Sequence, residues 1–323
     1  MKKGNISIFV PHSGCPCQCS FCNQKTITGK SQQPTADDVR SAVEKALKHK
    51  NFEYEIAFFG GSFTAIDKAY MTELLEAAHQ YADCQQIKGI RISTRPDCIS
   101  AEILELLKSY GVTSIELGAQ SMDDGVLEAN RRGHTAQAVA RASRLIKSYG
   151  FELGLQMMTG LYTDTLEKDI KTAEKIIELQ PKTVRIYPTV VLKNTYLAEL
   201  YTEEKYNPPG VDDSAYICSI LVPMFEKAGI KIIRIGLHSS EDIKNNMLAG
   251  GFHDSFGEIV KSRIMVNKIL ELPPGDYQVF VNEKSLSKLK GNKKSNIYLL
   301  MERGYNIKII TDNGLAVDEL RIK

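Results

Sequence analysis

The chain has 323 residues, with 41 Lys and Arg against 39 Asp and Glu, 43% apolar side chains, seven cysteines and no tryptophan. This is the balance of an ordinary globular protein, and it excludes a disordered or collagen-like chain. No run reaches the roughly 18 consecutive apolar residues of a membrane helix. The start, Met1-Lys2-Lys3-Gly4-Asn5, leads into a short alternating segment rather than a signal-peptide core, so the expected location is the cytoplasm. A net charge of +2 names no partner.

Short β-rich runs alternate with helical patterns. The expected strands are Ile6–Val10, Glu55–Phe59, Ile90–Ser93, Thr113–Leu117, Glu152–Met157 and Thr183–Tyr187, each mostly apolar and bounded by Gly, Pro or polar residues. Helical patterns run between them over Ala36–Lys48, Met71–Ala82, Ala101–Ser109, Thr135–Ser148 and Leu166–Leu179. Thr35 and Ser100 stand as N-caps, and Pro181 stops the last of these helices. A helical stretch Val190–Tyr201, a break at Asn207-Pro208-Pro209-Gly210, a helix Asp213–Lys227 and a strand Ile230–Ile235 follow. Six strand-then-helix units imply a parallel sheet covered by helices, an incomplete (β/α)6 version of the eightfold barrel, with reactive groups at the C-terminal strand ends. We place this partial TIM barrel at residues 1–240 and a small C-terminal α+β appendage at 241–323, with strands Tyr277–Val281 and Asn306–Thr311 and a helix Lys294–Arg303.

Cysteine usage is uneven. Cys15, Cys17, Cys19 and Cys22 lie within eight residues, whereas Cys84, Cys98 and Cys218 are scattered and read as small apolar residues. A cluster this tight suits metal or redox chemistry better than a disulfide framework. Cys15, Cys19 and Cys22 have the spacing C-x3-C-x2-C in the loop after the first strand. Three thiolates on one loop can hold three irons of a [4Fe–4S] cluster and leave the fourth iron open to a chelating ligand. A zinc knot that adds Cys17, or His12 in place of one thiolate, is the competing reading. Zinc sites usually pair two such elements well apart in sequence, and no second element is present. Cys17 reads as a spectator thiol. Strand two ends in Phe58-Phe59-Gly60-Gly61-Ser62-Phe63, and paired glycines there let the backbone approach a ligand closely.

The C-x3-C-x2-C loop after strand one, with Phe21 just before the last cysteine, resembles the radical S-adenosylmethionine (SAM) superfamily. That resemblance implies a [4Fe–4S] cluster on Cys15, Cys19 and Cys22 whose open iron chelates SAM. Reductive cleavage would then yield a 5′-deoxyadenosyl radical. It also implies that Gly60 and Gly61 bind the methionyl amino group, that Phe21 borders the cofactor, and that a flavodoxin- or ferredoxin-like protein donates the electron. Ser93-Thr-Arg-Pro-Asp97, Ile115-Glu-Leu-Gly-Ala-Gln-Ser121, Gln156-Met-Met158, Asn130-Arg-Arg-Gly-His-Thr135 and Arg185-Ile-Tyr-Pro-Thr189 narrow the likeness. Together they resemble the radical SAM domain of the Elongator catalytic subunit family, whose members modify wobble uridine in tRNA. More distantly the chain is similar to oxygen-independent coproporphyrinogen III oxidase. By this likeness Ser93, Gln120, Arg131 and Gln156 hold SAM, with Arg131 on the methionyl carboxylate and Arg132 the competing choice. Lys193 is a candidate for a substrate phosphate.

The same family usually carries a wider cysteine spacing, a basic N-terminal extension and an acetyltransferase domain. This chain begins fourteen residues before Cys15, and the residues after Leu237 are too few for an acetyltransferase fold. Lys284–Lys308 contains seven basic residues and one acidic residue, with Tyr298 and Tyr305 interleaved. Lys284, Lys288, Lys290, Lys293 and Lys294 are therefore expected to contact tRNA or another RNA, against the simpler reading of a solvated lysine face. A small metabolite or tetrapyrrole precursor is the alternative substrate. A non-catalytic iron–sulfur or zinc-binding module is the alternative outside enzymes.

Overall fold

The structure is a computed structural model, and it describes residues 2–11, 15, 18–23 and 32–323. Strands and helices alternate as β1 (Lys2–Val10), α1 (Ala36–Leu47), β2 (Phe52–Gly60), α2 (Lys68–His79), β3 (Ile87–Thr94), α3 (Ala101–Ser109) and β4 (Val112–Gln120). Then come α4 (Asp124–Ala129), α5 (Ala136–Ser148), β5 (Glu152–Thr159), α6 (Leu166–Glu178) and β6 (Thr183–Pro188). The chain continues through β7 (Val190–Leu192), α7 (Tyr196–Thr202), α8 (Val211–Lys227), β8 (Lys231–Ile235), α9 (Glu241–Asn246), β9 (Met247–Gly250) and α10 (Phe256–Leu270). The helix starts are chemically marked. The hydroxyls of Thr35, Ser100, Thr135 and Thr165 accept from backbone N–H groups in the first turns of α1, α3, α5 and α6, and Thr35 forms a reciprocal capping box with Asp38.

Seven strands pair in the order β1-β2-β3-β4-β5-β6-β8, all parallel, and the sheet curls into a partial barrel. One face of each strand is apolar. Ile56, Phe58, Ile90, Ile92, Ile115, Leu117, Leu153, Leu155, Val184 and Ile186 form the main core with Val39, Leu74, Leu104, Val139 and Ile176 of the outer helices. By the two-residue period of a strand, Glu55, Arg91, Glu116, Gln156 and Arg185 fall on the opposite, concave face. Barrel interiors are usually packed with branched apolar side chains. Here the interior is an ionic network.

Val190–Tyr201 is not one helix. Val190, Val191 and Leu192 pair antiparallel with β9, Asn194 takes a left-handed conformation (φ 60°), and Thr195 caps the short α7. Sheet pairing with a segment distant in sequence overrides the local pattern.

A second, smaller core gathers Met265, Val266 and Ile269 of α10 with β10 (Asp276–Val281), α11 (Leu286–Lys290), α12 (Ser295–Glu302) and Tyr305. Strand β10 is flanked by β11 (Asn306–Thr311), parallel, and β12 (Leu320–Ile322), antiparallel. Helix α10 serves both cores, since its Phe256 and Val260 pack into the main one. Two residues of the basic stretch differ from expectation. Lys288 is drawn inward by Asp318, with a 10% exposed side chain, and Tyr305 is buried with its hydroxyl donating to Leu272 O at 2.6 Å. Lys284, Lys293 and Lys294 are exposed, as is Tyr298, while Lys290 is half-buried. Among the described residues no helix is long and apolar enough to cross a membrane.

Candidate cofactor cavity

A cavity of about 550 Å3 opens at the C-terminal ends of the strands. The loop after β1 contributes Cys15, Gln18, Cys19, Phe21 and Cys22, the end of β2 Gly60 and Gly61, and the end of β3 Thr94 and Arg95. Gly118 and Gln120 of β4, Arg132 beyond it and Gln156 of β5 complete the wall. Among the described residues no three His, Cys, Asp or Glu side chains gather closely enough for a single metal ion, and Cys15, Cys19 and Cys22 all line the cavity. Cys17 and His12, weighed above for a zinc knot, lie outside the described residues.

The cysteine loop is tied down from behind. Ser20, fully buried, donates its N–H to Asn130 O at 3.1 Å and its hydroxyl to Asn130 Oδ1 at 2.8 Å. Leu197 N–H donates to Ser20 O at 2.9 Å, and Asn23 Nδ2 donates to Lys193 O at 3.1 Å. Lys193 itself donates to Asn245 O at 3.1 Å. Arg132 Nη1 reaches Cys19 Sγ at 2.9 Å, and its Nη2 donates to Gly118 O at 2.7 Å. The guanidinium donor makes this a charge-assisted contact, stronger than one between neutral groups. Arg95 fixes that segment by donating to Arg132 O at 2.6 Å while pairing with Asp97. Burial, and then the charges of Arg132 and Arg95, hold the His134 imidazole down at about 4. It therefore stays neutral near pH 7, with Nε2 3.3 Å from Ala119 O.

Gly60 is a position only glycine fits. Its φ is +120°, and a Cβ there would stand 2.6 Å from Val10 O. Gly61 N–H donates to that same carbonyl at 3.0 Å. Gln120 adopts φ 66° beside an irregularity in the β4–β5 register, and its Oε1 is buried without a hydrogen-bond partner. Gly118 leaves room for the Gln120 and Arg132 side chains.

Of the residues assigned to SAM, the cavity gathers Phe21, Gly60, Gly61, Gln120 and Gln156 with all three cysteines. Arg131 lies elsewhere. It is exposed, left-handed (φ 53°), and stacked 3.4 Å from the Tyr196 ring centroid, whereas Arg132 is buried in the cavity wall with its Nε unpartnered. Ser93 does not line the cavity either. Its Oγ is buried and unpartnered, and the following residue, Thr94, reaches the wall and binds the Ser62 and Thr64 hydroxyls.

Below the cavity lies the network that the sequence reading left unassigned. Glu116, 1% exposed, accepts from Arg185 Nε at 2.7 Å and Nη2 at 3.0 Å, from Arg91 Nη1 at 3.3 Å and from Gln156 Nε2 at 3.0 Å. Arg91 also grips Glu55. Burial opposes the charge on Arg91, but Glu55 and Glu116 outweigh it and push its pKa up. The available signal is a lone carboxylate within the apolar run Ile115-Glu-Leu, which a fully apolar strand would not tolerate unpaired.

Residues 9–176, just over half of the chain, match the Radical SAM superfamily, and residues 181–265 match the radical SAM C-terminal domain. The chain is 27% identical to the tRNA uridine(34) acetyltransferase of Dehalococcoides mccartyi over 79% of its own length and 62% of that protein. It is 28% identical to an uncharacterized protein of Methanocaldococcus jannaschii over 67% of this chain and 65% of that one. Identity to human Elongator complex protein 3 is 31%, over 50% of this chain and 33% of the relative. The chain thus spans between a third and two thirds of these relatives. In structure it superposes on archaeal Elp3 of Methanocaldococcus infernus with a TM-score of 0.68 at 20% identity, covering 84% of this chain and 64% of that one, a likeness of fold.

Proposed function

Because the chain belongs to the radical SAM superfamily, we propose that its cavity holds a [4Fe–4S] cluster on Cys15, Cys19 and Cys22 with SAM beside it, and that the enzyme modifies RNA, specifically a tRNA uridine. When bound, the cluster supplies the electron that cleaves SAM to a 5′-deoxyadenosyl radical, which takes a hydrogen from the substrate. The residues fit these groups. Three sulfur donors border one space, Gly60 and Gly61 admit a ligand against bare backbone, and the cavity wall holds an unpartnered acceptor in Gln120 Oε1 and an unpartnered donor in Arg132 Nε.

This chain's own residues orient and exclude. Arg132 offsets negative charge at the sulfur end, and Phe21 screens that end from water. Gln120 and Gln156 offer amides to hydroxyl and amino groups, and Arg132 takes the carboxylate-facing place that Arg131, stacked outside, leaves. The RNA assignment draws on relatives named for tRNA uridine(34) and on the exposed Lys284, Lys293 and Lys294 with the neighbouring Lys290. A flavodoxin- or ferredoxin-like protein is the proposed electron donor. The convergence of the cysteine loop and the β2 glycines on one cavity carries the reading.

Anaerobic reconstitution is expected to give about four irons per chain and dithionite-dependent 5′-deoxyadenosine, both lost in Cys19→Ala. Mass spectrometry of tRNA nucleosides from a deletion strain should show one modified uridine missing. An unchanged nucleoside profile would rule out the tRNA substrate, and a protein that loads zinc and makes no deoxyadenosine would rule out the reaction class.

A further inference from the structure

We propose that Glu116 is a positioning residue that fixes the hydrogen-bonding polarity of Gln156, so that this point of the cavity accepts a hydrogen bond and demands a donor from the ligand. The inference rests on the reading of the cavity as a SAM site. A glutamine amide is ambiguous by nature, offering two N–H donors at one end and a carbonyl oxygen at the other, and a half-turn about its last torsion exchanges them. Its surroundings decide which end faces a ligand.

Here the surroundings decide strictly. The carboxylate of Glu116, clamped by Arg185 and Arg91, has only acceptor oxygens to offer. The Gln156 atom 3.0 Å from Glu116 Oε2 must therefore be its nitrogen. The amide oxygen is the end left for the cavity, whose wall Gln156 forms. Reversing the amide would set two oxygens against each other in a buried place, and the cost of that mismatch exceeds the worth of an ordinary hydrogen bond.

The fold is cut to keep Glu116 there. Gly154, beside it on β5, has no Cβ, and one built there would stand 2.8 Å from Glu116 Cγ and 2.9 Å from Thr183 Oγ1. On the neighbouring strand, Gln120 Oε1 is buried without a hydrogen-bond partner. An acceptor oxygen fixed at this point of the cavity selects a ligand edge that donates, such as an amino group, an exocyclic amine or a ribose hydroxyl. The carboxylate end of the ligand belongs near Arg132, whose Nη2 binds Gly118 O at 2.7 Å.

The test measures affinity of S-adenosylhomocysteine, which is unreactive, for the anaerobically reconstituted protein, with thermal melts confirming that each variant is folded. Gln156→Leu should weaken binding by about tenfold, the loss of one good hydrogen bond. Glu116→Gln should do the same, although Glu116 itself does not line the cavity. The exchange Glu116→Gln/Gln156→Glu, which turns the pair around but keeps an acceptor toward the ligand, should restore most of the affinity. A folded Glu116→Gln protein that binds as tightly as wild type overturns the inference alone. Should Glu116→Gln fail to fold, Gln156→Glu on its own decides, because repulsion from Glu116 should weaken binding, and undiminished affinity overturns the proposal. Wild-type protein that binds no S-adenosylhomocysteine overturns the cavity reading and this inference with it.

Discussion

Gly118 carries no side chain, and a methyl group built on it would stand 3.0 Å from Gln120 Nε2 and 3.4 Å from Arg132 Nη2. Both neighbours belong to the cavity wall, so Gly118→Ala should displace them rather than break the strand. We expect the melting temperature to fall modestly, as for about 1 kcal/mol of overpacking, while affinity for S-adenosylhomocysteine drops about tenfold. Unchanged affinity would mean that the two side chains are not held for a ligand. What can be read from sequence at such single positions depends on how local the constraint is. The cysteine spacing and the paired glycines are local patterns, and they lead directly to the cavity. The Arg131-Arg132 doublet is not resolvable in that way, because what separates the two is the left-handed backbone of Arg131 and the reach of Arg132 to Cys19, 113 residues away in the chain. Glu116 shows in the sequence only as a lone carboxylate in an apolar run, and its role stays hidden for the same reason, since its partners Arg91, Gln156 and Arg185 sit on three other strands.

The first turns of α6 and the loop before it bring two carboxyl groups together. Asp169, 1% exposed, accepts from Gly160 N–H at 3.3 Å, and Asp164 lies beside it with an oxygen accepting from Thr165 N–H. Burial, and then the Asp164 carboxylate, push Asp169 well above the ordinary carboxylate range, and burial raises Asp164 as well. A folded value above the unfolded one makes the proton a native-state ligand. Its contribution is complete below the unfolded value near 4 and is lost as pH rises through the raised folded value. Asp169→Asn keeps an acceptor for Gly160 and supplies a permanent donor toward Asp164. It should therefore raise stability at pH 8 by about 1 kcal/mol and flatten the alkaline decline in urea titrations. A variant less stable than wild type at pH 8 would contradict the bound proton on Asp169. Elements of the main sheet follow from the sequence because an apolar run between polar breaks needs no distant information. Helix α10 does not, since Val260 faces one core and Val266 and Ile269 another, which blurs the single apolar stripe that marks a surface helix. Strand β7 exists only because β9, more than fifty residues later, pairs with it.

Charge is distributed so that the two cores differ in what they offer a polyanion. The barrel interior balances its own ions, whereas the small second core displays Lys284, Lys293 and Lys294, with Lys290 half-buried beside them. Replacing Lys290, Lys293 and Lys294 together by Gln should weaken retention of tRNA at low salt. It should also make the logarithmic salt dependence shallower, by about 0.7 to 0.9 per lost phosphate contact. Equal retention by both proteins would remove the tail from RNA binding. Lys288→Gln serves as the contrast, because its bonds to Asp318 and Glu258 make it a fastening between α10, α11 and the turn before β12. It should lower the melting temperature and leave the salt slope alone. The composition points to the basic stretch but not to this division of labour, which depends on Asp318, twenty-four residues beyond Lys294.

The order β1-β2-β3-β4-β5-β6-β8 leaves β1 and β8 as the two ends of a curved sheet, each paired on one side only among the described residues. A closed ring can be entered only along its axis, so a polymer would have to be threaded or to bulge inward. A slot can be straddled. One residue in the middle of a long chain can be laid into the mouth from the side while its neighbours on either hand stay outside, with no free end required.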